Sequence, residues 1–366
     1  MFDWIPLPIY TDLFYHIMLV ITLFVGIHAI SFDLRNKKRI TEFSYIGFIL
    51  VIFVILYMGF RPVSGRYFGD MSTYNSAYAN LQAGGKIESK KEFLFHYFMW
   101  FCSQFISAKQ FFLLVDILYI LPMYLFSKKY FQKYWFFGLF IFFASFSFWA
   151  AGTNGLRTGL ATSFFIWGLC YYGNKKILMY FLFVLGFLMH NSLIITISAF
   201  VVAIFLIRKP KYIFFIWMLT IPLSLAGGSA WGVFFENLGL FEDRTKGYLT
   251  GGDIYMDQFS KTGFRWDFLL YSSTAIIAGW YFIIKKKLED KFYIHLFGIY
   301  AIANAFWILV IEAAFSNRFA YLSWFLMGAV IIYPLAKYDM MKNQYKVLGA
   351  IVFLYFMFTY FLNVVL

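Results

Sequence analysis

The sequence predicts an all-α fold: a polytopic integral membrane helical bundle of about twelve spans, occupying residues 1–366 as a single transmembrane domain. Three observations predict it. Of 366 residues, 62% are hydrophobic and only 13% charged, against roughly 45–50% apolar and about 25% charged in soluble domains. A soluble chain so composed would expose large apolar patches and aggregate, which excludes a soluble enzyme, a fibrous protein and a disordered chain. Apolar runs close to the ~20 residues that a bilayer crossing requires recur along the whole length. The polar breaks between them fall into two kinds, short basic ones and two long loops.

In chain order, spans are expected at 10–32, 43–60, 109–127, 134–152, 156–173, 177–190, 191–207, 211–228, 267–284, 292–311, 319–337 and 345–365. Met1–Tyr10 lacks a basic leader and the first run is too long for a signal h-region, so it is expected to stay as an uncleaved span. Phe93–Ser107 is apolar but short. It reads as an interfacial helix, because counting it as a span would move Lys128–Lys133 to the other face. Segments 177–190 and 191–207 either both cross or form a re-entrant pair, and both arrangements put His190 towards the outer face.

The short breaks hold most of the 31 Lys and Arg: Arg35/Lys37/Lys38/Arg39, Lys128/Lys129/Lys133, Lys175/Lys176, Arg208/Lys209/Lys211, Lys285/Lys286/Lys287/Lys291 and Lys337/Lys342/Lys346. With the spans counted as above, all fall on one side. Short loops rich in Lys and Arg stay in the cytoplasm. Both termini and the long loops 61–92 and 229–266 are therefore expected outside, and most of the +13 net charge is orientation. The two cysteines, Cys102 and Cys170, are placed near opposite faces and expected as free thiols.

The remaining polar residues concentrate at the outer ends of the spans: Arg61, Arg66, Arg157, Arg265 and Arg318, with Asp70, Asn154, His190, Asp267 and Glu312. One arginine at a helix end is ordinarily a snorkelling side chain. Five from separate segments imply a wet cavity holding something anionic, and guanidinium geometry suits phosphate or diphosphate. Gly152–Ala161 is a tight polar turn running into a span, so its opening N–H groups favour an anion; the same small residues would also let two spans pack closely. His190, in Leu188-Met-His-Asn-Ser192, is either a helix–helix hydrogen-bond partner or a general base, since imidazole titrates near neutral pH. Asp116, in mid-span, is either a packing carboxylate or a site residue. Tyr67, Tyr74 and Tyr78 could stack on sugar rings.

No His/Cys cluster at ligand spacing is present, so neither metal nor cofactor is expected. Walker, GxSxG and HExxH patterns are missing as well, which argues against an ATP-driven machine and against those hydrolases.

The outer-face motifs form a pattern. Gly59-Phe-Arg61 followed by Gly69-Asp70-Met-Ser-Thr-Tyr74 resembles the R…G-D-x-x-x-Y signature of the EpsG-like, Wzy-type polysaccharide polymerases. Glu92-Phe-Leu-Phe is similar to that family's Glu-x-Gly-Phe segment. Asn154-Gly-Leu-Arg157-Thr-Gly-Leu-Ala161 resembles its N-x-x-R-Q-x-L-A turn, His190-Asn-Ser192 its H-x-S, and Arg318-Phe319 its late Arg-Phe pair. Leu94 stands where the family often has Gly, and Thr158 where Gln is common.

The resemblance implies a glycosyltransferase C-like architecture and a metal-independent, inverting enzyme of the bacterial inner membrane. It would polymerise undecaprenyl-diphosphate-linked oligosaccharide repeats into surface polysaccharide at the outer face. The implied partners are the lipid-linked donor and acceptor, the lipid bilayer, and a chain-length regulator or other polysaccharide-assembly protein; no nucleic acid is implied. In this scheme Arg157 and Arg318, aided by Arg265, hold the diphosphate, and His190 or Asp70 positions or deprotonates the acceptor hydroxyl. Arg61, Arg66, Tyr74, Asn154, Asp267 and Glu312 complete the substrate contacts. The rivals are a lipid-linked oligosaccharide flippase, a polysaccharide ligase and an O-acetyltransferase.

Overall fold

A computed structural model describes residues 2–31, 37–87, 92–207, 209–237, 263–313 and 316–365. The expected basic breaks at 35–39 and 208–211 lie partly outside the described residues, and most of the long loop 229–266 lies outside them too. Among the described residues every regular element is helical. Among the described residues, eight helices are long and apolar enough to cross a bilayer: Leu7–Ser31, Ile40–Gly59, Ala108–Phe143, Pro210–Gly227, Trp266–Lys285, Lys291–Leu309, Ser316–Lys337 and Gln344–Val365. The protein is an integral membrane protein. Both cysteines are buried free thiols.

We number the elements α1 (Leu7–Ser31), α2 (Lys37–Gly59), α3 (Gly65–Phe68), α4 (Met71–Gln82), α5 (Phe93–Ser103), α6 (Ala108–Phe131), α7 (Trp135–Phe143), α8 (Phe148–Thr153), α9 (Leu156–Leu169), α10 (Lys176–Met189), α11 (Ile194–Val201), α12 (Pro210–Gly227), α13 (Ala230–Asn237), α14 (Trp266–Gly279), α15 (Lys291–Leu309), α16 (Ser316–Lys337) and α17 (Gln344–Tyr360). They form two compact units, one of residues 1–190 and 332–366, the other of residues 191–331.

Where fewer full-length spans appear than twelve, the cause is local. The run 134–152 breaks at Ala144–Ser147, where Ser145 and Ser147 hydrogen-bond each other (Oγ–Oγ 3.0 Å). Such short hydroxyls compete with the helix ladder. The carbonyl of Ala144 freed there is taken by Thr359 Oγ1 at 2.8 Å. Helices α9 and α10 have 14 residues each, about 21 Å at 1.5 Å per residue, short of the ~30 Å hydrocarbon core. The segment expected to be interfacial forms α5, only 11 residues long.

In the first unit, helices without a hydrophobic driving force between them in lipid are tied by packing and interhelical hydrogen bonds. Tyr10 and Tyr57 stack at 4.5 Å and each donates its hydroxyl to the other's carbonyl, at 2.7 and 2.8 Å. α6 and α9 run alongside one another. Ser163 donates to the Tyr119 carbonyl (2.6 Å), and Tyr130 donates to the Leu169 carbonyl (2.6 Å). In the second unit, Asn304 accepts from Trp217 (2.8 Å) and donates to Ser323 (3.1 Å), while Ser272 Oγ accepts from Trp324 (2.7 Å). Each such contact contributes on the order of 0.6–2 kcal/mol.

Candidate functional site

The loop expected at 61–92 contains two helices that carry candidate residues. Ser64 caps α3 by accepting from the Tyr67 N–H. α4 buries Tyr74 and Tyr78, and the Tyr78 hydroxyl donates to the Ile106 carbonyl at 2.8 Å, fastening α4 to the start of α6.

At the centre of the first unit's polar residues stands Glu92. Its side chain is fully buried, yet it pairs with two partners that reach solvent: the Arg157 guanidinium through Oε2 and His190 Nδ1 through Oε1. Arg157 is 23% and His190 21% exposed at the side chain. The second flank of Arg157 is held by Tyr74, whose hydroxyl accepts from Nε at 3.2 Å. Burial raises the Tyr74 phenol pKa, with the Arg157 charge opposing that shift. The phenol therefore stays protonated.

Glu92 is held in the left-handed region (φ 50°, ψ 41°) as it leads into α5. For a residue with a Cβ this costs roughly 1–3 kcal/mol, a strain that collects at functional sites. His190 ends α10 in extended conformation, its N–H still bonded to the Gly186 carbonyl. An ionised Glu92 can only accept, so its contact with His190 calls for a hydrogen on Nδ1.

Arg157 lies in the first turn of α9, whose N-cap, Gly155, offers no side-chain cap. The opening N–H groups of such a turn lack helical partners and carry partial positive charge. The preceding turn is pinned by Asn154, whose Oδ1 accepts from the Asp70 N–H at 2.8 Å. That contact explains Gly69, which has φ +55°, and where an added Cβ would lie 2.2 Å from Asn154 Oδ1. Gly69→Ala is expected to destabilise the protein by about 1–3 kcal/mol and to lower activity. Gly84→Ala, at φ +87° but with open space around it, should affect melting temperature less and activity hardly at all. Thermal melts and polymer yield of the two variants check this.

Arg61, expected among the substrate contacts, is instead buried with Asp116, both side chains 0% exposed. Nη1 bonds Asp116 Oδ2 at 2.7 Å and the Met58 carbonyl at 2.5 Å, and Nη2 reaches the carbonyls of Gly152 and Thr153 at 3.4 and 3.3 Å. Asp116 is thereby one half of a buried ion pair. An anion could reach Arg61 only by displacing it. What the pair does is fasten the end of α8, and so the turn that presents Asn154 and Arg157.

Arg66 and Asp70 are exposed, with the Arg66 guanidinium 5.6 Å from the Tyr67 ring. In the second unit, Arg265 makes a two-pronged pair with Asp267 (2.9 and 2.6 Å) and lies 3.8 Å from the Phe268 ring centroid, so its charge is largely spent locally. Glu312 and Arg318 are exposed there. Neither unit by itself gathers all five arginines. The residue that sequence reasoning passed over as a site member is Glu92, which stood in a motif and received no role. A lone carboxylate opening an apolar segment was the available signal.

A sequence model of the EpsG family matches residues 44–366, a range that contains Tyr74, Glu92, Arg157 and His190. No curated protein and no solved structure matches the chain.

Proposed function

The chain belongs to the EpsG family, and from that premise we propose that it is a polysaccharide polymerase, a glycosyltransferase that lengthens surface glycan from polyprenyl-diphosphate-linked repeats. The observation that carries this reading is the Glu92 hub, which holds one cationic and one titratable group side by side at a solvent-reaching edge. The acceptor hydroxyl attacks the anomeric carbon of the donor, its proton passing to His190 Nε2. The bond from that carbon to the diphosphate breaks, and the leaving diphosphate keeps the electron pair. Direct displacement inverts the anomeric carbon.

Charge bookkeeping supports the assignment. Glu92, Arg157 and neutral His190 sum to zero. Once His190 takes the proton the cluster is cationic, just as the leaving group gains negative charge. Arg157 and the open first turn of α9 would bind that charge, with charge-assisted hydrogen bonds of about 1.5–3 kcal/mol each. Interactions that strengthen as the bond breaks accelerate the step, and a positioned base contributes about 10²–10⁴-fold. Glu92 is a positioning residue in this scheme. No step calls for a metal.

We read the surroundings in the same way. Basic breaks at the ends of α6, α14 and α16 and before α10 support a cytoplasmic placement of those ends. On the same reading both termini lie outside, and the motif resemblance carries the rest of the proposal, a glycosyltransferase C-like arrangement in the bacterial inner membrane in which the shorter helices complete twelve crossings. We take undecaprenyl diphosphate as the carrier, as the motif resemblance implies.

Arg157→Lys tests the anion contact. Lysine keeps the charge but loses the planar fork that serves Glu92 and Tyr74 together. Polymer yield in cells is expected to fall by about tenfold or more, the equivalent of one charge-assisted hydrogen bond. Normal length and yield with this variant would remove Arg157 from the mechanism.

A further inference from the structure

A cavity of about 330 Å³ opens at the C-terminal ends of α6 and α9, lined by Leu125, Lys129, Trp167, Tyr171, Asn174 and Lys175 among others. Arg157 begins α9 and the cavity closes it, so the two lie about 20 Å apart along the helix axis. The cavity is therefore separate from the Glu92 cluster.

The lining offers donors and no carboxylate. Lys129 is anchored by donating to the Cys170 carbonyl, which uses one of the three N–H bonds of its ammonium. Lys175 is the N-cap of α10, and its side chain does not cap that helix. The 14-residue α10 therefore begins at the cavity edge with uncapped N–H groups and a positive dipole end. Two ammonium groups and the N-terminus of α10 border one cavity that has no carboxylate, which suits an anionic group rich in acceptor oxygens.

We infer that this cavity binds a phosphate group, that of an anionic phospholipid headgroup in the leaflet opposite the Arg157 end or that of free phosphate. Basic pockets between membrane helices hold such headgroups. The volume exceeds what bare phosphate fills and leaves room for a glycerophosphate, while Leu125 and the Trp167 ring supply an apolar wall for the start of the acyl chains. The site stands whether or not the polymerase assignment does.

The test is native mass spectrometry of the full-length protein, delipidated in detergent and titrated with phosphatidylglycerol, diacylglycerol or inorganic phosphate. Phosphatidylglycerol is expected to bind and diacylglycerol not to. In K129Q/K175Q, affinity should fall at least about tenfold, and in K175Q alone about fivefold. Competition by millimolar inorganic phosphate identifies free phosphate as a ligand. Lipid binding that phosphate does not compete identifies the headgroup. Equal binding of diacylglycerol, or wild-type affinity in K175Q and in a K129Q/K175Q variant with an unchanged melting temperature, overturns the site. If the double variant does not fold, the K175Q comparison decides alone.

Discussion

Glu92→Gln is expected to lower polymer formation by about 10²–10⁴-fold, while the protein still folds and inserts. The substitution conserves volume and removes one charge. Arg157 loses its anchor, and His190 loses the carboxylate that sets its tautomer and would stabilise its protonated form. Both partners reach solvent, so neither becomes a stranded buried charge and the stability loss is modest. Glu92→Gly, which suits the left-handed backbone at φ 50°, removes the strain and the carboxylate together. It is expected to be as inactive as Glu92→Gln. Near-normal activity in the glycine variant would mean that position 92 matters for its backbone and not for its charge. Polymer ladders in cells, beside membrane levels of each variant, separate the two.

The largest stability effect belongs to Arg61→Leu, expected to cost about 3–5 kcal/mol, because it leaves Asp116 as an uncompensated buried charge. Both side chains are wholly buried, so water cannot take over. Arg61→Leu/Asp116→Leu is expected to recover most of that loss, since a buried ion pair replaced by apolar groups is often neutral. Activity should not recover with it. Without the guanidinium, the Gly152 and Thr153 carbonyls lose their donor, and the turn carrying Asn154 and Arg157 loses its fastening. Denaturant melts and polymer yield of the single and double variants give the comparison. A double variant that is both stable and fully active would deny Arg61 any positioning role.

Much of the fold was legible because it follows from composition and run length. Helices α1, α2, α6, α12, α15, α16 and α17 fall on expected spans, each a long apolar run. What composition could not reveal was where a helix stops inside an apolar stretch. The break at Ala144–Ser147 depends on a hydroxyl pair and on a donor from Thr359, 215 residues away. Within the site, Tyr74, Asn154, Arg157 and His190 were legible as polar residues at helix ends. Which of them meet was not, because pairing is a tertiary fact. The five arginines differ in burial and pairing, which a count treats as equal. Arg61 is consumed by a carboxylate 55 positions away and Arg265 by one two positions away, whereas Arg157 is turned to solvent by a carboxylate that draws His190 to its side. Burial and charge pairing sort these groups, and neither is written in local sequence.

Glycan transfer from a polyprenyl diphosphate by the Glu92–Arg157–His190 cluster is tested by incubating the purified protein with a synthetic polyprenyl-diphosphate-linked repeat and following glycan length and free polyprenyl diphosphate together. A ladder of longer glycans is expected, with one polyprenyl diphosphate released per bond formed and loss of both with Glu92→Gln. An authentic repeat that is never elongated, yet is moved across the bilayer of proteoliposomes, would contradict it.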